Sequence, residues 1–96
     1  MSLRIGSYDF EHATYDEVAD VLYLRNDDAA QAATTHGTPE GHAVRMDAEG
    51  KVLGITIVNA RWLSEREAEI IVSIPHQRIK APARDLGAAL KNAISE

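Results

Sequence analysis

Residues 42–60 read His42-Ala43-Val44-Arg45-Met46-Asp47-Ala48-Glu49-Gly50-Lys51-Val52-Leu53-Gly54-Ile55-Thr56-Ile57-Val58-Asn59-Ala60, and this stretch decides the fold class. His42, Val44 and Met46 alternate against Ala43 and Arg45, the period-2 pattern of a strand with one buried face. Residues 52–60 are rich in Ile and Val, which suit a pleated, half-buried surface. Between them, Asp47-Ala48-Glu49-Gly50-Lys51 has the length and composition of a hairpin loop, with Gly50 supplying the positive φ that such loops commonly need. Two antiparallel strands are therefore expected here. Gly54, inside the second, suggests a bulge or the close approach of another backbone or a Tyr ring.

Upstream, residues 8–15 carry three aromatics and no Gly or Pro, and Val21-Leu22-Tyr23-Leu24-Arg25 is β-prone; both read as strands. Asp16-Glu17-Val18-Ala19-Asp20 joins them at hairpin length. Residues 26–41 lack Val, Ile, Leu and aromatics, so the segment is either mobile or partly a polar hairpin arm, with the 37–41 Gly/Pro turn cluster leading into the next strand. Downstream, Ser64-Glu65-Arg66-Glu67 has capping-box form and predicts a single helical turn. Glu69-Ile70-Ile71-Val72-Ser73-Ile74 reads as a fifth apolar strand stopped by Pro75, with 77–79 a short extended piece. Beyond Pro82, Leu86, Leu90 and Ile94 fall at i, i+4 and i+8 beside Ala89 and Ala93, an amphipathic helix. With Gly87 inside it, such a helix is marginal alone and must dock on a sheet or on a partner.

The 96 residues suit a single domain, 1–96, and the 45% apolar and 26% charged content is that of an ordinary globular chain. Zero Cys excludes disulfides, thiol catalysis and thiolate metal sites. No apolar run approaches the ~18 residues of a membrane span, and Met1-Ser2-Leu3-Arg4-Ile5-Gly6 lacks the apolar stretch of a signal peptide, so a cytoplasmic protein is expected. The net charge of −5 is uneven: residues 1–50 carry −7 and residues 51–96 carry +2. Arg78, Lys80, Arg84 and Lys91 make the final stretch locally basic, either as a solvated face or as a patch for an acidic surface of another subunit. With five aromatics and no binding motif, nucleic acid is not an expected partner.

The segment from His12 to Arg25, with its Tyr15-Asp16, three residues, Asp20, then Leu22-Tyr23, together with Asp47-x-x-Gly50-x-x-x-Gly54-Ile55, resembles the small prokaryotic family catalogued as domain of unknown function 2283. The resemblance covers about residues 12–63, leaving 64–96 as an extension of the kind seen in longer variants that add a strand and a helix. Family members often carry Glu where Thr56 stands, so no role for an acid carries over there. The resemblance implies no activity and no catalytic residue; some relatives lie beside small toxin-like proteins, which implies an antitoxin-like role.

Tyr15, Asp16, Asp20, Leu22, Tyr23, Asp47, Gly50, Gly54 and Ile55 carry the motif, and turn and strand duties account for all of them. The functional reading of Asp16 and Asp20 is a pair around a hard cation, or one of them as a general base, although such cations want more oxygen ligands than this segment displays. His12, His36, His42 and His76 form no i, i+4 zinc pair; His36 and His42 could meet across a hairpin with His12 joining them, or all four are unrelated imidazoles. No nucleophile elbow or phosphate loop occurs. Trp62 closes one end of the core or, with Arg61, anchors an interface.

The sequence thus predicts an α+β domain: an antiparallel, meander-like sheet of five to six strands, with one C-terminal helix packed over it or across a homodimer boundary. It predicts a non-enzymatic protein–protein interaction module that homodimerises and pairs with a small basic protein, with Trp62, Leu86, Leu90 and Ile94 as candidate interface residues. No catalytic residue, metal or cofactor is expected. The competing reading is a small-molecule or metal-dependent enzyme with a site near Asp16, Asp20, His12 and His42.

Overall fold

The computed structural model describes residues 3–6, 8–27, 32, 34–74 and 77–95. In chain order its strands begin with β1 (Leu3–Ile5), β2 (Tyr8–Phe10), β3 (His12–Asp16), β4 (Val21–Arg25), β5 (Thr34–Gly37), β6 (Ala43–Met46) and β7 (Val52–Val58). Helix α1 (Ala60–Arg66) follows, then β8 (Glu69–Ile74), β9 (Gln77–Pro82), α2 (Ala83–Asn92) and β10 (Ile94–Ser95).

Five strands form one antiparallel sheet in the order β3-β4-β7-β6-β5, and β10 adds to its β3 edge in parallel. The meander is broken once: β4 pairs with β7, so the connection after Arg25 crosses to the far edge before β5, β6 and β7 return as consecutive strands. The two hairpins foreseen from sequence, β3–β4 and β6–β7, are both present. The polar-arm option for residues 26–41 is the one adopted over 34–41, since Thr34–Gly37 pairs with Ala43–Met46; residues 28–31 and 33 lie outside the described residues.

Alternation gives the sheet two unlike faces. Ala13, Tyr15, Leu22, Leu24, Val44, Ile55 and Ile57 point inward and are buried. Against them pack α2, the β1–β2 hairpin and the separate β8–β9 hairpin, whose Ile70, Val72, Ile74, Ile79 and Ala81 complete the core. The opposite face has no helix over it among the described residues, and Tyr23 and Arg25 stand exposed on it. Gly54 meets both expectations at once: the β6–β7 register shifts beside it, and a Cβ there would lie 3.0 Å from the Leu24 carbonyl oxygen.

Several boundaries differ from expectation. The 8–15 run divides at Glu11, so that Tyr8–Phe10 pairs with Leu3–Ile5 while His12–Asp16 joins the main sheet. Glu69–Ile74 pairs with β9 in a sheet of its own rather than serving as a fifth strand of the main one; Pro75, proposed to stop it, lies outside the described residues. The Ser64 capping box is not used: α1 starts four residues earlier, and the Ser64 hydroxyl donates to the Arg61 carbonyl within the helix. Ile94 does not continue the helical stripe, because the chain turns extended at Ala93 and pairs with Thr14.

Candidate functional site

Three of the motif residues, Tyr15, Asp16 and Asp20, gather at the β3–β4 turn. Asp16 Oδ1 accepts the Val18 and Ala19 amides at 3.0 and 3.2 Å, closing the turn on itself. Asp20 leaves it in the left-handed region at φ 56°, a conformation that Asp tolerates better than most residues. That aims its carboxylate at the start of α1. Oδ1 accepts the Arg61 amide at 2.8 Å and the Tyr15 hydroxyl at 2.7 Å, and Oδ2 accepts the Trp62 amide at 3.3 Å. The helix needs this help, since its own N-cap, Asn59, sits at φ 59° and contributes no side-chain bond.

Burial alone would raise the Asp20 pKa, but the hydrogen bonds from the Arg61 amide, the Tyr15 hydroxyl and the Trp62 amide outweigh it and hold the carboxyl below its ordinary value. The Tyr15 phenol is pushed up by burial first and by Asp20 second, so it stays protonated as a donor. The Arg61 guanidinium lies 5.3 Å from the centre of the Tyr15 ring, and that of Arg66 lies 4.8 Å from the Trp62 ring. Both carboxylates of the pair considered from sequence are thus engaged with main-chain N–H groups.

A shallow hollow of about 300 Å³ opens here, lined by Tyr15, Glu17, Asp20, Arg61, Trp62, Glu65 and Arg66. Trp62 is 48% exposed and Val18, at the tip of the turn, is 99% exposed. Trp62 therefore does not close the core.

The remaining motif residues lie elsewhere in the sheet. Asp47 Oδ1 accepts the Glu49 and Lys51 amides at 2.9 and 2.8 Å, and Gly50 completes that turn at φ 86°. Leu22 and Ile55 are core residues, and Tyr23 stands on the open face.

The quartet Asp16, Asp20, His12 and His42 does not assemble. His12 pairs with Arg25 at one end of the sheet and hydrogen-bonds Asp27, whereas Asp16 pairs with Val21 at the other end. His42 is buried near that second end, where its Nδ1 accepts the Val58 amide at 3.1 Å; burial lowers its pKa, opposed by Glu40. His36 lies opposite Val44, and His76 is outside the described residues. No group of three or more His, Asp or Glu is placed to share a metal ion among the described residues. Leu86 is also corrected: it is fully buried and Leu90 is packed on the same core, so this stripe is spent within the chain, and of Ile94 only the backbone pairing is described.

Two features escaped the sequence reading. Glu40 accepts the Ser73 amide and hydroxyl at 2.9 and 2.8 Å, which lowers its pKa to about 2 and ties the 38–41 turn to β8. On the open face, Arg25 and Arg45 stand on either side of Gly54, a juxtaposition only the strand order creates.

A family described as protein of unknown function (DUF2283) matches residues 12–61, just over half of the chain. No curated protein and no solved structure gives a significant match. No helix among the described residues is long and apolar enough to cross a membrane.

Proposed function

We propose that this chain, which belongs to the DUF2283 family of proteins of unknown function, is a non-enzymatic protein–protein interaction module. The observation that carries this reading is a half-exposed Trp62 in a shallow hollow beside the β3–β4 turn, whose tip residue Val18 is fully exposed and whose Asp16 and Asp20 carboxylates hold main-chain amides. An exposed Trp flanked by two Arg has the residue types that dominate interface energetics. The partner is a small basic protein, which the net charge of −5 and the Asp16, Glu17 and Asp20 carboxylates of the turn would attract, in an antitoxin-like role. Self-association uses the β5 edge, where two copies can extend the sheet across a two-fold axis.

Co-expression with the product of the neighbouring coding sequence tests the first part. A stoichiometric complex is expected, weakened about 30-fold by Trp62→Ala, the effect of losing one hot-spot residue. Absence of a complex, or one indifferent to Trp62→Ala and Val18→Ser together, overturns it. Light scattering tests the second part: a dimer mass is expected, and a strictly monomeric mass removes it.

A further inference from the structure

The strand register arranges the open face in rows. Thr14, Tyr23, Thr56 and Ala43 form one row, and His12, Arg25, Gly54, Arg45 and Thr35 form the next. With neighbouring strands about 4.8 Å apart, the Arg25 and Arg45 backbones are roughly 10 Å apart with Gly54 midway. A hollow of about 370 Å³ opens on this face, lined by Thr14, Tyr23, Arg25, Arg45 and Thr56 together with Leu24 and Ile55. That is the smaller end of the range of small-molecule clefts, about 300–1,000 Å³.

Its charge runs against its surroundings. Residues 1–50 hold ten acids and three bases, yet two of those bases line this hollow and none of the acids does. Arg25 has Asp27 within its electrostatic reach, but Arg45 makes no ion pair among the described residues. The Thr14, Tyr23 and Thr56 hydroxyls make no hydrogen bond to other described residues, so three further donors are available.

We propose that this hollow binds a phosphate monoester dianion carried on a small ring-bearing molecule. Two guanidinium forks can each present paired N–H donors to phosphate oxygens, and the hydroxyls can reach the remaining ones. A monocarboxylate would satisfy one fork and leave the other cation uncompensated, whereas a dianion with three terminal oxygens answers both. Tyr23, 41% exposed beside Arg25, supplies the wall for the ring. The hollow lies toward the β6–β7 turn, away from Trp62, so this site stands independently of the interaction surface proposed above.

The test is an NMR titration of the full chain with inorganic phosphate and with phenyl phosphate, at ionic strength held constant with chloride. Saturating amide shifts are expected at Arg25, Arg45, Gly54 and Thr56, with phenyl phosphate bound at least about threefold more tightly because of its ring. Arg25→Gln and Arg45→Gln should each weaken binding at least about tenfold, Arg45→Lys less, and Lys91→Gln on α2 not at all. Equal affinity for the two probes overturns the ring-bearing ligand and leaves free phosphate. Shifts that never saturate, that centre on other residues, or that persist unchanged in both Arg→Gln proteins overturn the site.

Discussion

Removing the Asp20 carboxylate with Asp20→Ala should cut two unlike supports at once. The first two helical amides after Ala60, those of Arg61 and Trp62, lose their cap, which is worth about 0.5–2 kcal/mol. The buried Tyr15 hydroxyl loses its acceptor, at about 1–3 kcal/mol. Ala must also hold φ 56°, at about 1 kcal/mol. Allowing for the water that still reaches the carboxylate, the total is about 3 kcal/mol, which for a domain of this size lowers the Tm by roughly 12–24 °C. Asp20→Asn keeps the backbone conformation and one acceptor oxygen and should cost about 1–2 kcal/mol. Urea unfolding followed by the fluorescence of Trp62, the single Trp, reads both values. Tyr15→Phe completes a double-mutant cycle, with a coupling of about 1 kcal/mol expected. Because the folded pKa of Asp20 is depressed, its contribution is fully present above the ordinary carboxylate range and is lost as pH falls through the folded value. A cost of Asp20→Ala below about 1 kcal/mol, or strict additivity with Tyr15→Phe, would refute the claim that this residue caps α1 from another element.

His42, whose pKa burial depresses, binds its proton less readily folded than unfolded, so stability should fall as pH drops from about 6.5 toward 5. His42→Asn, which can still accept the Val58 amide, should flatten that limb in urea titrations at a series of pH values. Gly6→Ala places a Cβ 2.7 Å from the Lys80 carbonyl oxygen at φ +62°, and chemical unfolding should show a loss of about 2–3 kcal/mol.

What the sequence discloses and what it conceals divide along range. The Asp47–Lys51 turn and the inward alternation of Leu22, Leu24, Val44 and Ile55 are written in neighbouring residues, so both hairpins and the buried face are legible. Helix α1 is misplaced because the local signal, Ser64, competes with a cap supplied by Asp20, forty-one positions before the Arg61 amide it binds. Ile94 obeys the helical period and still leaves the helix, since the β3 edge offers its backbone partners that the period cannot anticipate. Arg25 and Arg45 are unremarkable as separate residues; only the insertion of β7 between β4 and β6 sets them on either side of Gly54. The Trp62 surface was within reach because a lone Trp beside Arg invites the question of exposure, whereas the Glu40–Ser73 tether joins two segments with no shared pattern.

The two-residue parallel pairing of β10 with β3 also orders events in time. Thr14 and Tyr15 meet Ile94 and Ser95 across almost the whole length of the chain, a costly loop closure that raises the contact order. During synthesis the remaining strands of the sheet can zip together first, while the outer edge of β3 stays unpaired until residue 95 has cleared the ribosome. Nascent and C-terminally shortened chains therefore share one vulnerability, an open strand edge of His12–Asp16 available to the wrong neighbour.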